Sequence, residues 1–138
     1  MTATDPIEQI RSAYLARYGT PVTQPVEEGR VHDFLLALDE PASLDSAVPV
    51  PPLFLLSIGR TRRPQPSQGT AVNAGDEFEF MAPVHIGDLI TISRRIVSVE
   101  EKQGAPGRMY LTTAEATYVN QHGETVAVAR QTTLRWGL

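Results

Sequence analysis

Few side chains in this sequence combine the type and the spacing that proton-transfer chemistry requires. His85 and Asp88 lie three residues apart in P-V-H-I-G-D, so the carboxylate could orient the imidazole as a general base. The alternative is a connection between strands, in which Gly87 and Asp88 set the turn geometry and His85 is an exposed turn residue. We favour the turn.

The other two histidines are placed less well for catalysis. His122 stands beside Gly123 in the predicted hairpin turn N-Q-H-G-E, and His32 follows Val31 on the flank of a predicted helix. Three histidines without metal-ligand spacing predict no metal site, and we expect no cofactor. The chain has no cysteine, which excludes a thiol nucleophile, disulfide bonds and a cysteine-based metal site.

Asp39 and a group of arginines are the remaining candidates. Asp39 stands just past the end of a predicted helix, where a lone acid more often caps or turns the chain than activates water. Arg60, Arg62 and Arg63 form a basic cluster in G-R-T-R-R-P. This cluster could bind a phosphate, but it lacks a phosphate-cradling glycine pattern, and an exposed polar loop is the favoured interpretation.

Length and composition bound the class of protein. The 138 residues are 41% hydrophobic and 20% charged, which predicts one globular domain over 1–138 with a real core. The net charge of −4 and the pI near 5.3 argue against broad electrostatic binding to nucleic acid. The sequence shows neither a secretory signal nor an apolar run of membrane-spanning length, so we expect a cytoplasmic protein.

The first half of the chain carries helix signals. Asp5 and Pro6 predict a helix start, and apolar residues at helical spacing continue to Tyr18, followed by Gly19. This helix forms an extension within residues 1–20. An extended segment over 21–26 leads to a second helix over 27–38. Regular structure should be sparse over 41–66, which holds six of the eleven prolines.

The second half reads as extended strands over 77–80, 89–99, 109–119 and 125–134, with loops over 61–70 and 102–107. Phe78 and Phe80 share one face, and a parity shift near Arg94 predicts a β-bulge or a change of face. Helices followed by an antiparallel sheet predict an α+β fold, with the sheet wrapped around one buried helix. Such a sheet needs a partner to cover its remaining apolar surface and open edge.

Four segments together resemble a known family. They are V-E-E-G-R-V-H-D-F-L-L-A-L, V-P-P-L-F, F-E-F-M-A-P-V-H-I-G-D-L-I-T and A-T-Y-V-N-Q-H-G-E-T-V-A. Residues 26–134 are similar in these motifs to the N-terminal-type half of MaoC-like dehydratases. The resemblance implies a single hot-dog domain in a system that hydrates or dehydrates acyl thioesters on coenzyme A or acyl carrier protein. The family pattern is variable at the position that His85 occupies here.

The chain departs from that family where the catalytic half carries its acid and base. The catalytic half has an Asp followed five residues later by His, in a context like G-D-x-N-P-x-H. Here residues 38–44 read L-D-E-P-A-S-L. Asp39 aligns with the family Asp, but Leu44 stands where the His belongs, and a leucine side chain transfers no proton. The resemblance therefore implies a half without its own acid–base pair.

Two groups of residues are candidates for contact with an acyl thioester. The resemblance places Pro52 and Phe54 beside the acyl pocket, and simple core packing is an equally good interpretation of them. For a thioester carried on coenzyme A or phosphopantetheine, the phosphates could bind Arg60, Arg62 and Arg63.

These features predict a non-catalytic subunit of a heteromeric (3R)-hydroxyacyl-thioester dehydratase or enoyl-thioester hydratase. The substrate would belong to fatty-acid, polyketide or steroid side-chain metabolism. A catalytic hot-dog subunit would supply the Asp and His in a heterodimer or heterotetramer. Two alternatives remain open. One is a homodimeric hot-dog thioesterase in which Asp39 or Glu40 activates water, and the other is an acyl-thioester-binding scaffold without catalysis.

Overall fold

The computed structural model describes residues 5–40, 45–59 and 69–138. Its elements follow the chain in this order: α1 (Pro6–Tyr18), β1 (Val22–Pro25), α2 (Glu28–Ala37), a 3₁₀ helix (Pro52–Ser57), β2 (Thr70–Phe80), β3 (Leu89–Gly104), β4 (Gly107–Val119) and β5 (Thr125–Trp136). The strands form one antiparallel sheet in the order β1-β3-β4-β5-β2. The predicted α+β fold with an additional N-terminal helix is confirmed. No helix in these ranges has the length and apolar character needed to cross a membrane.

α1 begins and ends close to its predicted bounds. The Asp5 carboxylate accepts a hydrogen bond from the Ile7 N–H at 3.0 Å, and Pro6 occupies the first turn, where its missing N–H costs nothing. Gly19 has a φ of −67°, so the helix ends without the left-handed residue that a terminal glycine often provides. A side chain at this position would meet the Leu15 carbonyl, which explains why glycine fits here.

α1 packs against β3 through its buried residues Ile10 and Tyr18. The guanidinium of Arg94 lies 5.3 Å from the centre of the Tyr18 ring, a cation–π distance. The same guanidinium donates a hydrogen bond to the Gly59 carbonyl at 3.0 Å. Arg94 therefore ties α1 and the end of the 3₁₀ segment to the sheet.

The core lies between one face of the sheet, here called the inner face, and the layer formed by α2 and the 3₁₀ helix. The Phe34 ring of α2 meets the Phe54 ring edge to face at a centroid distance of 5.6 Å. The fully buried residues are Val26, Val31, Phe54, Leu55, Ile58, Ile90, Ile92 and Val126. Burial of these side chains stabilises the fold by roughly 1.5–3 kcal/mol each.

β3 and β4 confirm one sequence prediction and correct another. The predicted bulge exists, and it falls at Val97, between the pairs Ile96–Ala114 and Ser98–Thr113. The predicted loop over 102–107 is wrong, because the paired strands continue to Gly104 and Gly107 and leave a two-residue turn. An ion pair of 2.8 Å between Glu101 and Arg108 joins the strands near this end.

β2 begins earlier than predicted because its pairing with β5 extends to Thr70, opposite Trp136. The expected loop over 61–70 is therefore wrong at Thr70, and residues 61–68 lie outside the described residues. A bulge at Ala74 divides β2 between Asn73 and Gly75. β2 is the last strand of the sheet, so one of its edges has no partner strand within the described chain.

Candidate functional site

The two turn motifs of the second half form one hydrogen-bonded unit. The Asp88 carboxylate accepts hydrogen bonds from the His85 N–H and from the Gln121 side-chain amide, each at 2.9 Å. The Gln121 side-chain oxygen Oε1 accepts in turn from the Leu89 N–H at 3.0 Å. These contacts join P-V-H-I-G-D to N-Q-H-G-E across more than thirty residues of chain and explain why the sequence carries both motifs.

The histidine and aspartate of the first motif do not form a catalytic pair in this geometry. Asp88 accepts from the backbone N–H of His85 and not from its ring, and Gly87 has a φ of +96°, so the segment has the chemistry of a turn. His85 is half-buried, whereas the turn interpretation expected it to be exposed. The His122 ring contacts Gln121 at 3.3 Å within the second turn.

Asp39 ends α2. It has a φ of +56° directly after the last helical turn, its N–H donates to the Leu36 carbonyl, and the Glu40 N–H donates to the Leu35 carbonyl. This pair of hydrogen bonds is a Schellman motif, in which the residue at the left-handed position is usually glycine and less often a short polar residue. Asp39 is exposed, and no histidine of the described chain bonds to its carboxylate. Leu44, at the position of the family histidine, lies outside the described residues.

An apolar cavity of about 520 Å³ opens between the proline-rich segment and the end of β2. It is lined by residues 49–52, Leu55 and residues 80–84. The Val50 N–H donates to the Val84 carbonyl at 2.7 Å and holds the two walls together. A cavity of this size and lining suits an apolar chain better than a charged ligand.

The candidate substrate contacts are distributed unevenly around this cavity. Pro52 lines it. Phe54 turns the other way and packs in the core against Phe34. The candidate phosphate contacts Arg60, Arg62 and Arg63 lie outside the described residues.

The inner face of β2 continues from the cavity as an uncovered apolar surface. Phe78 and Phe80 stand opposite Ala129 and Ala127, which face the core, yet they are 41% and 40% exposed. Their rings stack at a centroid distance of 6.4 Å, and the adjacent Met81 is also exposed. Sequence reasoning placed the two rings on one face but did not connect them to the cavity, because that contact depends on the fold of the proline-rich segment.

The opposite, outer face of the sheet carries a row of alternating charges. Glu115 of β4 bonds to Arg95 of β3 at 3.1 Å and to Arg130 of β5 at 2.9 Å. Glu77 of β2 stands directly opposite Arg130 in the pairing of β2 with β5. The hydrogen bond from Arg130, together with the weaker effect of the one from Arg95, lowers the pKa of the Glu115 carboxyl below its ordinary value of 4.5. The row therefore runs from β3 to the open edge of the sheet.

Comparison with solved structures identifies the fold. One chain of the ChsH1-ChsH2 complex from Mycobacterium tuberculosis superposes with a TM-score of 0.70 and 17% identity, covering 95% of this chain and 93% of the other. A MaoC-like dehydratase from Rhodospirillum rubrum gives 0.66 and 18%, covering 85% and 88%. The truncated HadBC (3R)-hydroxyacyl-ACP dehydratase complex from Mycobacterium tuberculosis gives 0.64 and 20%, covering 83% and 91%. These similarities confirm the hot-dog fold.

Sequence comparison supplies the family. No curated protein matches the chain. A family model described as the FAS1-like dehydratase domain region matches residues 15–129, which is most of the sequence. Its span includes the proline-rich segment, both linked turns and the cavity walls. The chain therefore belongs to the FAS1-like dehydratase domain region family, and its fold is the hot-dog fold of the MaoC-like dehydratases.

Proposed function

We propose that this chain is the non-catalytic half of a heteromeric (3R)-hydroxyacyl-thioester dehydratase or enoyl-thioester hydratase. The observation that carries the proposal is the uncovered inner face of β2, where Phe78 and Phe80 are exposed beside the apolar cavity. Two of the similar structures are complexes, ChsH1-ChsH2 and HadBC, which supports a second hot-dog chain as the partner that covers this face. Burying both rings favours association.

The division of labour follows from the chemistry of dehydration. A base removes the proton from the carbon next to the thioester carbonyl, and an acid protonates the leaving hydroxyl, giving water and a carbon–carbon double bond. In this chain Asp39 terminates a helix, and Asp88 and His85 build a turn. We therefore assign the Asp and His of the reaction to the partner subunit.

This subunit contributes a wall of the acyl channel. The cavity beside Pro52 is apolar, and an acyl chain entering it loses contact with water at a gain of about 0.8 kcal/mol per buried methylene. The thioester carrier is coenzyme A or acyl carrier protein, and Arg60, Arg62 and Arg63 are proposed contacts for its phosphates. The acyl group comes from fatty-acid, polyketide or steroid side-chain metabolism.

The test is a dehydration assay on (3R)-hydroxyacyl-coenzyme A with this chain alone and then co-expressed with a hot-dog chain sought among the neighbouring genes. We expect turnover only from the complex, and loss of turnover when the Asp or His of the neighbouring chain is replaced. Turnover by this chain alone would contradict the assignment. Hydrolysis of the thioester by this chain alone would instead identify a homodimeric thioesterase.

A second experiment tests the acyl wall. Ala82 lines the cavity, so Ala82→Phe should narrow it and lower kcat/KM for long acyl chains by at least about tenfold while short chains react normally. Ala47→Phe is the matched control, because Ala47 is exposed and is not among the residues that line the cavity. An equal loss for short and long chains would show that the cavity does not receive the acyl group.

A further inference from the structure

We infer that Glu77 and Glu79 make the open edge of β2 selective, so that it accepts an antiparallel strand carrying basic side chains and excludes a second copy of this chain. The inference rests on the proposed function, in which a second hot-dog chain covers this side of the sheet. It adds the chemistry by which that chain is recognised. Apolar contact alone would not distinguish a different hot-dog chain from another copy.

The first observation is the length and exposure of the edge. β2 pairs with β5 from Thr70 to Phe80, and all eleven of its residues are exposed. The free edge of such a strand presents unpaired N–H and C=O groups that bind another strand readily. Natural sheets protect edges of this length with charged residues, and here the protecting residues on the outer face are both acidic.

The second observation is the order of charges across the outer face. Arg95, Glu115 and Arg130 alternate in sign on successive strands, and Glu77 extends the row to the edge. Within residues 5–40, 45–59 and 69–138, no ion pair involves Glu77 or Glu79. The next strand outward therefore gains a favourable cross-strand pair where it places a basic residue opposite Glu77.

The third observation concerns self-association. When two copies of β2 pair antiparallel about Phe78, Glu77 of each copy stands opposite Glu79 of the other. Like charges placed directly opposite each other destabilise a strand pair. Pairing about the middle of the strand instead passes through the bulge at Ala74, which interrupts the ladder. Both arrangements disfavour a second copy of this chain.

The two faces of β2 therefore have different roles in binding. On the inner face, Phe78 and Phe80 provide apolar area to any hot-dog partner. On the outer face, Glu77 and Glu79 favour partners with basic side chains and disfavour acidic ones. Charge complementarity of this kind affects specificity and association rate more than total affinity.

The test is a charge-swap experiment with the chain itself. Sedimentation velocity at low micromolar concentration compares the wild type, the Glu77→Lys/Glu79→Lys variant and their equimolar mixture. We expect the mixture to form a heterodimer with a Kd at least about tenfold lower than that of either chain with itself. Hydrogen exchange should then show new amide protection in β2. Thermal unfolding of the variant checks that it is folded.

The matched control is Glu8→Lys/Glu28→Lys. Both glutamates are exposed on helices away from the edge, and the substitutions change net charge by the same amount. This variant should not associate with the wild type. Equal association of the control, or a wild-type homodimer with a protected β2, would overturn the inference.

The charge inference and the proposed function fail separately. The charge-swap mixture contains no catalytic subunit and no thioester, so an inactive complex leaves its result unaffected. Conversely, a neighbouring chain that activates the Glu77→Lys/Glu79→Lys variant as well as it activates the wild type would contradict the charge selectivity. That outcome would leave the dehydratase assignment intact.

Discussion

Two strands of the same sheet differ sharply in how they are covered. In β3, Ile90 and Ile92 are buried completely beneath α2 and the 3₁₀ helix. In β2, Phe78 and Phe80 lie on the same inner face but remain exposed. One side of the domain is therefore a covered core, and the other is an exposed apolar surface. If the proposed partner covers that surface, stability and partner binding depend on different residues and can be changed separately.

The largest test of this contrast is a pair of phenylalanine truncations. Phe54→Ala should cost about 3–5 kcal/mol of unfolding free energy, because Phe54 is only 1% exposed and its removal leaves a cavity. Phe78→Ala should cost less than about 1 kcal/mol in the isolated chain, because its ring is 41% exposed. Urea unfolding of each variant measures both values. Equal losses would mean that β2 is already covered in the isolated chain.

For binding of the proposed partner, the truncation on β2 should have the larger effect. Phe78→Ala should weaken binding of the partner chain, since it removes a ring that the partner buries in the proposed assembly. Phe80→Ala should act in the same direction. Titration calorimetry with the neighbouring chain checks this, and an unchanged Kd for both variants would place the partner elsewhere.

Two glycine substitutions should differ by a smaller amount in unfolding free energy, because one glycine lies in the packed core and the other in an open turn. Gly59 and Gly87 both have positive φ, but only at Gly59 would an added Cβ collide with Ile92. Gly87→Ala should cost roughly 1 kcal/mol from backbone strain alone. Gly59→Ala should cost roughly 1–3 kcal/mol more, because the core must also shift. Thermal unfolding of the two variants measures the difference, and equal losses would show that Ile92 moves aside freely.

Local patterns predicted the parts of the fold that local chemistry controls. The alternation around Phe78 and Phe80, the turn at Gly123 and the cap at Asp5 depend on neighbouring residues, and each lies where the sequence indicates. The short turn after Gly104 was missed, because residues that look like loop formers are held in strands by pairing with β4.

The candidate site was less accessible to sequence reasoning because its contacts join distant segments. The hydrogen bond from Gln121 to Asp88 joins residues 33 positions apart, and no local sequence pattern predicts it. Phe54 and Pro52 are only two residues apart, yet Phe54 faces the core and Pro52 faces the cavity. The 3₁₀ helix determines these two directions. The placement of this segment beside an acyl pocket stays a prediction, and the resemblance could not assign its individual side chains.

The charge row on the outer face gives a pH-dependent prediction. The Glu115 side chain is only 12% exposed between two arginines, and its folded pKa lies below the ordinary value of 4.5. The unfolded state therefore binds the proton more readily, so this group stabilises the fold above the ordinary pKa. That contribution is lost as pH falls through the lowered pKa.

Glu115→Gln should lower the unfolding free energy at pH 7 by about 1 kcal/mol, since Arg95 and Arg130 are themselves largely exposed and solvent screens the pairs. Denaturant unfolding between pH 7 and pH 3 should show the wild type and variant converging in acid. A constant difference across that range would show that Glu115 acts through packing and not through its charge.

The smallest expected effect concerns the one carboxylate with a family argument for catalysis. Asp39→Gly should raise the unfolding free energy by about 0.5–1 kcal/mol, because glycine adopts the positive φ at the end of α2 without strain. Asp33→Gly, in the exposed interior of the same helix, should instead lower it slightly, by roughly 0.1–0.3 kcal/mol, and serves as the control. With the partner bound, Asp39→Gly should leave dehydration unchanged, since Asp39 is assigned to ending the helix. A stabilised variant whose complex loses turnover by about a hundredfold or more would instead make Asp39 an acid or base of the reaction and return catalysis to this half.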